Sequence, residues 1–242
     1  MKSALRFIAL LALSLVALQL WFGLRIALMN VLDPQSTSFQ RSEMMRLATE
    51  KHSIAWSQEW AADAAISNQL RRAVIASEDS AFVDHGGVEW DAIEKAWDKN
   101  QKAEAKAEVR SKRAAKPVQA KIVGGSTITQ QIAKNLFLSG ERNLARKGQE
   151  LVITLMLEAL LSKQRILDIY LNNVEWGEGV FGAEAAAHHY FHIDAARLSP
   201  NQAARLAVML PAPKRFEKRP GSPYVIGRAG TIEARMPAVE LP

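Results

Sequence analysis

A long uncharged segment near the N-terminus limits what this chain can form more than any other feature. No side chain is charged from residue 7 to residue 24, and the apolar run resumes after Arg25. A bilayer core offers no water to the backbone, so a crossing segment of about 20 residues must bond internally as a helix. We therefore predict one transmembrane helix over residues 7–29.

The flanking charges predict how this helix is oriented. Lys2 and Arg6 precede it, and the positive-inside rule keeps such residues in the cytoplasm. Residues 1–6 are then cytoplasmic, and the remainder lies on the outer, periplasmic side of the inner membrane. A cleaved signal peptide is the alternative, but its apolar region is shorter, about 7 to 15 residues, and no small-residue cleavage site is evident.

The rest of the chain has the composition of a folded domain. The 242 residues are 48% hydrophobic and include no cysteine, which excludes wholesale disorder, a disulfide framework and a thiolate metal site. A polar stretch around Pro34 predicts a linker over residues 30–41, followed by an extracytoplasmic domain over residues 42–242.

Apolar residues in this domain recur at helical spacing over residues 42–77 and again over residues 144–170. Alternation typical of strands is scarce, so the predicted fold class is all-α. Residues 144–170 are apolar over much of the helix circumference, which is typical of a helix buried at the centre of a domain.

Much of the net charge of +6 lies in one segment, residues 98–121. With little apolar surface to bury, this segment is predicted to be a solvated helix or loop inserted in the domain. Contact with anionic lipid headgroups is the alternative. We expect no nucleic-acid partner, because the segment lies outside the cytoplasm and no aromatic pattern accompanies its charge.

The first candidate for chemistry is a polar cluster over residues 76–87, directly after an apolar run that ends at Ile75. A carboxyl group at the C-terminal end of a buried helix has a raised pKa, because burial and the helix dipole both disfavour its charge. A raised pKa suits a general base, and Glu78 is the candidate. A surface turn with paired charges is the alternative.

A second polar cluster follows two glycines. Ser126 or Thr127 can cap the next helix, and Gln130 can close a capping box. A helix N-terminus with free backbone donors suits an anionic or polyhydroxyl ligand, although a well-capped helix without a ligand is the alternative. The same helix adds further donors, namely Gln131, Lys134 and Asn135.

The third cluster consists of Arg142, Arg146 and Glu150, spaced by four residues. If one helix includes all three, they lie on one face. An exposed salt-bridge ladder is the alternative, but the residues that follow are the most apolar of the domain. Arginines in this setting suit a diphosphate, which accepts bidentate hydrogen bonds.

These clusters, with two later runs, resemble glycosyltransferase family 51 and its monofunctional branch. The motifs are Glu78 to Gly86, GGSTITQQIAKNLFL, Arg146 to Glu150, YLNNVEWGEGVFGAEAAAHHYF and LSPNQAARLAVMLPAPKRF, in this order. The resemblance implies an all-α, lysozyme-like glycosyltransferase domain with a small jaw subdomain, preceded by the one transmembrane helix.

The resemblance also implies a function. Such an enzyme polymerises lipid II into glycan strands for cell wall biosynthesis, inverts the donor anomeric carbon and releases undecaprenyl diphosphate. The implied partners are lipid II, the growing strand, the cytoplasmic membrane and other cell wall synthesis proteins. No cofactor is required by the sequence, although a divalent cation, Mg²⁺ or Mn²⁺, is compatible with the diphosphate.

Each motif residue acquires a role by resemblance. Glu78 is the general base that takes the proton of the acceptor 4-hydroxyl, and Glu150 assists at the leaving diphosphate. Lys134 and Arg142 bind that diphosphate. The remaining substrate-binding or supporting residues are Gln130, Gln131, Arg146, Ser126, Thr127 and Lys95, the last of which stands where many members carry arginine.

Two other functions stay open. A muramidase-type hydrolase would also use two glutamates, but cleavage of a neutral glycosidic bond has no use for diphosphate-binding cations. A membrane-anchored wall-binding protein without turnover is the other.

Two features outside the candidate site also carry a prediction. His188 and His192 lie one helical turn apart, but a third ligand of suitable spacing is not evident, so no metal site is predicted. Tyr170 is assigned, with the glycines that follow, to a turn against the cleft.

Overall fold

The computed structural model describes residues 2–111, 125–141 and 143–242. The α-helices of these ranges are α1 Lys2–Leu28, α2 Ser38–Arg46, α3 Asn68–Glu78, α4 Trp90–Ser111, α5 Ile128–Phe137, α6 Leu144–Leu160, α7 Lys163–Asn173, α8 Ala183–Phe191, α9 Pro200–Met209, α10 Pro213–Phe216 and α11 Pro223–Glu233. The strands are β1 Ser57–Gln58, β2 Glu175–Gly177 and β3 Val180–Phe181. The predicted all-α class with one N-terminal apolar helix is confirmed.

The core forms where α3, α9 and α11 pack on one another, and the buried side chains of α7 belong to the same apolar cluster. Ser67 caps α3 by accepting a hydrogen bond from the Leu70 amide, and Leu70 is fully buried. Helix α9 packs on both α3 and α11. Among the largest buried side chains is Trp176, whose indole donates to the Leu206 carbonyl at 3.1 Å.

A small sheet corrects the helical prediction for part of residues 42–77. Helix α2 continues only as a π-helical turn, Leu47–Lys51, and β1 follows before α3 begins. Strand β3 is the central strand, parallel to β1 and antiparallel to β2. Gly179 joins β2 to β3 with φ +75°, and a Cβ there would lie 2.0 Å from the Ala55 carbonyl oxygen. The backbone at position 179 comes so close to the Ala55 carbonyl group that only glycine fits there.

The predicted buried run over residues 144–170 is two helices: α6 has one buried face, and α7 is buried all round from Ile166 to Asn173. It breaks at Leu161 and Ser162, and Ser162 caps α7 by accepting from the Arg165 amide. Ile153 and Leu157 are fully buried, but Val152 is 38% and Leu155 51% exposed. The prediction of a buried central helix is therefore confirmed for α7 and wrong for Val152 and Leu155 of α6.

Helix α1 is long and apolar enough to cross a membrane, with a mean hydropathy of 2.3 in its most apolar window. Its C-terminal half packs on α6. The side-chain amides of Gln19 and Gln149 exchange two hydrogen bonds of 3.0 Å. The ring of Phe22 meets that of Phe137 edge-on at 5.5 Å, and the Arg25 guanidinium lies 5.2 Å from the same ring.

The predicted linker over residues 30–41 and the predicted insert over residues 98–121 both contain helical residues in the structure. Helix α2 begins at Ser38, inside the predicted linker, and Ser38 donates a hydrogen bond to the Leu136 carbonyl. Helix α4 includes the first part of the predicted insert, up to Ser111, which agrees with its helical alternative. Residues 112–121 lie outside the described residues.

Candidate active site

Glu78 is the last residue of α3 and opens onto a cleft. Its Oε2 accepts a hydrogen bond of 3.0 Å from the side-chain amide of Gln131. Burial is the largest influence on this carboxyl group and raises its pKa, as does the nearby charge of Asp79, whereas bonds from Gln131 and Ser77 lower it. The net direction is upward, as the sequence predicts for a carboxyl group at the end of a buried helix.

Asp79, which the sequence did not single out, docks this segment onto α5. Its Oδ2 accepts the backbone amide of Ile128 at 2.9 Å, and its Oδ1 lies 2.8 Å from Nε2 of His85. Because Nδ1 of His85 accepts from the Gly87 amide, Nε2 carries the proton given to Asp79. These bonds fix where Glu78 stands relative to the N-terminus of α5.

The predicted capping box at the start of α5 is confirmed, with Thr127 as the cap. The Gln130 amide donates to the Thr127 hydroxyl oxygen, and the Gln130 side chain accepts from the Thr127 amide, each at 3.2 Å. The Thr127 hydroxyl donates in turn to the Gly87 carbonyl at 2.7 Å. Both side chains are buried, so their visible role is to hold α5 beside the Glu78 segment.

Glu150 lies in α6 with only 3% of its surface exposed, and cations meet both of its oxygens. Nη1 of Arg146 donates to Oε2 at 2.6 Å, and Nζ of Lys147 forms an ion pair with Oε1. Nε of Arg146 is buried and has no hydrogen-bond partner among the described residues. Asn143 caps α6, and the structure shows the pair of Arg146 and Glu150 from the predicted ladder. The third member, Arg142, lies outside the described residues.

Two neighbouring cavities place these groups along one cleft. The larger, about 370 Å³, is lined by Glu150 and Arg146 together with Gln130, Gln131, Lys134 and Lys147. The smaller, about 220 Å³, is lined by Glu78 and Asp79 together with Lys95, Lys99 and Glu89. Ser126 lines both. Lys95 is thus beside Glu78 rather than with the cations around Glu150.

Tyr170 was assigned to a turn, and this was wrong: it is a buried residue of α7. Its hydroxyl donates to Oε1 of Gln131 at 3.0 Å. Nothing in the sequence pattern indicates that the hydroxyl of Tyr170 on α7 reaches the side chain of Gln131 on α5.

The described residues include two groups of His and carboxylate side chains whose ligand atoms lie within 4.8 Å of one another: Asp79, His85 and Glu89, and Glu184, His188 and Asp194. His188 therefore faces Glu184, at 3.0 Å, rather than the predicted neighbour His192, which ends α8. In the first group both oxygens of Asp79 are already bonded.

Comparison with known proteins agrees with this geometry. Residues 46–237 match the family model described as transglycosylase. The chain belongs to this transglycosylase family. It is accordingly an enzyme of the glycosyltransferase class with a lysozyme-like domain, as the sequence motifs imply.

Similar curated proteins agree. The chain is 48% identical over 234 residues to a biosynthetic peptidoglycan transglycosylase of Paraburkholderia xenovorans, covering 97% of this chain and 91% of that protein. It is 51% identical over 227 residues to one of Burkholderia pseudomallei, covering 94% and 83%. It is 48% identical over 224 residues to one of Bordetella pertussis, covering 93% and 88%.

Proposed function

We propose that this enzyme is a peptidoglycan glycosyltransferase that polymerises lipid II into glycan strands for the cell wall. It releases undecaprenyl diphosphate and inverts the donor anomeric carbon. The relatives named above are biosynthetic peptidoglycan transglycosylases, which supports the substrate class. Its partners are then lipid II, the growing strand and other cell wall synthesis proteins.

The observation that carries this proposal is the contrast between two carboxylates in adjoining cavities. Glu78 has a raised pKa and faces the smaller cavity, while Glu150 is enclosed by Arg146 and Lys147 in the larger one. The first arrangement suits proton removal and the second suits a departing anion. A muramidase would gain nothing from the cations.

The reaction follows from this division. Glu78 takes the proton from the 4-hydroxyl of the acceptor sugar, and that oxygen attacks the anomeric carbon of the donor strand. The bond from this carbon to the diphosphate breaks, and its electron pair leaves with the diphosphate. Arg146 and Lys134 stabilise the charge that develops there, with the unpartnered Nε of Arg146 as a further donor.

Glu150 acts in this proposal by holding its cations rather than through a divalent ion. Both carboxylate oxygens of Glu150 are engaged by Arg146 and Lys147, so Mg²⁺ or Mn²⁺ would have to displace one of them. The residues present therefore do not fit a resident divalent cation at Glu150, and no step depends on one.

Incubation with labelled lipid II tests the function. We expect the detergent-solubilised wild type to form polymer that muramidase degrades, and Glu78→Gln to lose at least about 10²-fold in rate because general-base catalysis is lost. Glu94→Gln is the matched control, since Glu94 is an exposed carboxylate of α4 outside both cavities.

Other outcomes would select the alternatives. Shortening of preformed glycan without polymer would indicate a hydrolase, and lipid II binding without turnover would indicate a wall-binding protein. Near-normal polymerisation by Glu78→Gln would refute the role of Glu78 while leaving the transferase intact.

The same proposal places the catalytic domain in the periplasm and the N-terminus in the cytoplasm, with α1 as a single span of the inner membrane. Because the chain has no cysteine, a single introduced thiol is its only reactive one. A membrane-impermeant maleimide added to spheroplasts should label Glu240→Cys and spare Ser3→Cys. The reverse pattern would overturn the orientation.

A further inference from the structure

A chain of two hydrogen bonds runs from the domain core to the carboxylate of Glu78. The Tyr170 hydroxyl donates to Oε1 of Gln131, and Nε2 of Gln131 donates to Oε2 of Glu78, each at 3.0 Å. Three helices, α7, α5 and α3, contribute one residue each. Such a chain has a direction, because a carboxylate accepts hydrogen bonds and cannot donate them.

An amide such as Gln131 has two ends of similar shape, and which end faces Glu78 decides its effect. With the N–H facing it, the amide stabilises the carboxylate, whereas a carbonyl oxygen there would repel the charge and favour the protonated acid. The orientation of Gln131 therefore needs a partner at its other end. Tyr170 is that partner.

Tyr170 is suited to this because its proton stays in place. The residue is only 2% exposed, and burial together with the charges of Glu78 and Asp79 raises the pKa of its hydroxyl well above the usual range. It remains a donor at every pH at which the enzyme works. The bond to Gln131 is thus present whichever protonation state Glu78 adopts.

We propose that Tyr170 is a positioning residue, which rests on the proposed function: through Gln131 it holds Oε2 of Glu78 in place beside the smaller cavity. Tyr170 touches neither sugar. It keeps Glu78 ionised and aimed, so that the buried carboxylate is a base and not a neutral acid.

Other charged groups also face Glu78, and they bear on its titration. Asp79 follows it in the chain, Glu89 precedes α4, and Lys95 and Lys99 lie on α4 in the same cavity. His85 acts through its bond to Asp79. Within the described part of the chain, the side chain of Gln131 is hydrogen-bonded to Glu78 and Tyr170, so a change at Tyr170 alters the amide without removing a charge from the cavity.

The test is the pH dependence of kcat/KM for lipid II polymerisation. Tyr170→Phe deletes one oxygen and with it the hydrogen bond that orients Gln131. Because the ionised form of Glu78 is then less stabilised, we expect the acidic limb of the profile to move to higher pH by up to about one unit. Gln131→Met removes the amide while keeping its length and should move the limb at least as far. At high pH, where Glu78 is ionised in both proteins, the rates of Tyr170→Phe and wild type should converge.

Tyr190→Phe is the matched control. Its hydroxyl is also largely buried and donates to a backbone carbonyl, that of Trp176, at 2.8 Å. The substitution removes the same atom and one hydrogen bond of the core, but nothing joins it to Glu78. We expect a lower melting temperature with an unmoved acidic limb.

Infrared titration gives a second readout that needs no turnover. The carboxylic acid C=O band that is absent from Glu78→Gln reports protonation of Glu78 directly, and it should appear at higher pH in Tyr170→Phe than in wild type. A folded Tyr170→Phe with an unmoved band and limb would overturn the proposal. Absence of lipid II polymerisation by the wild type would instead refute the proposed function, and the infrared titration would still test the hydrogen-bond chain.

Discussion

The two halves of the cleft stand on helices that pack against different parts of the molecule. Glu78 ends α3, which packs on α9 in the domain core. Glu150 lies on α6, which packs against the membrane helix α1. The same residue type thus meets two kinds of partner: the carboxylate of Glu78 accepts from the neutral amide of Gln131, whereas that of Glu150 is paired with the cations of Arg146 and Lys147.

This difference indicates how one fold supports both proton removal from the acceptor and departure of the diphosphate from the donor. A base must lose some of the solvation that stabilises its charge, and the core provides this through burial. A leaving diphosphate needs fixed positive charge at the level of its lipid, and a helix held beside the membrane span can provide it. The predictions that follow each alter one half and leave the other unchanged.

The largest effect is expected from removing the guanidinium of the cationic half. Arg146→Ala should lower kcat by about 10² to 10³-fold, because a donor to the developing diphosphate charge is lost. Arg146→Lys should restore part of the rate, since a point charge remains without the planar fork. Initial rates of lipid II polymerisation measure both.

Arg228→Ala is the control for that series, since Arg228 is exposed on α11. If Arg146→Ala polymerised as fast as Arg228→Ala, the larger cavity would not be the diphosphate site. The two halves of the cleft would then differ in charge but not in their roles in the reaction.

A smaller effect, of opposite sign in the two halves, is expected on stability. The pKa of Glu78 is raised in the folded state, so the folded protein binds more protons there than the unfolded chain. Stability therefore falls as the pH rises from the pKa of Glu78 in the unfolded chain to its pKa in the folded protein. Glu78→Gln removes this cost and should raise the melting temperature at pH 7 by roughly 2–4 °C.

Glu150→Gln should do the reverse. It leaves Arg146 and Lys147 without the carboxylate that pairs them, so the melting temperature should fall. The six tryptophans allow both melts to be followed by intrinsic fluorescence in detergent. Shifts of the same sign in the two variants would show that the carboxylates do not differ as the geometry indicates.

Local patterns in the sequence predict the parts of the site that depend on one helix. The capping box of Thr127 and Gln130 and the four-residue spacing of Arg146 and Glu150 both describe contacts within a turn or two, and both contacts are present. Glu78 at the end of an apolar helix follows the same logic.

What the sequence does not predict depends on contacts between distant segments. Strands β1 and β3 are two residues each and pair across more than a hundred residues of chain, so neither leaves a periodic signal. Apolar residues on α6 do not indicate which neighbour they meet: Ile153 and Leu157 lie in the core, while the helix also packs on α1. The bond from Tyr170 to Gln131 likewise joins two helices that the sequence treats separately.

The smallest effect is expected where the cationic half meets the membrane helix. Gln149 precedes Glu150 and exchanges two hydrogen bonds with Gln19 of α1. A hydrogen bond within a protein contributes about 0.5 to 1.5 kcal/mol, so Gln19→Leu or Gln149→Leu should lower the polymerisation rate a few-fold by loosening α6. Ser14→Ala is the control, because the Ser14 hydroxyl bonds only within α1, to the Leu10 carbonyl.

The double variant decides whether the pair acts as one unit. If the two amides matter only through each other, Gln19→Leu with Gln149→Leu should be no slower than either single change. Additive losses would mean that each glutamine acts separately, and α1 would then be a tether that does not position Glu150. Coupled losses would mean that the membrane span helps to hold the cationic half of the cleft, while the Glu78 half depends on the domain core alone.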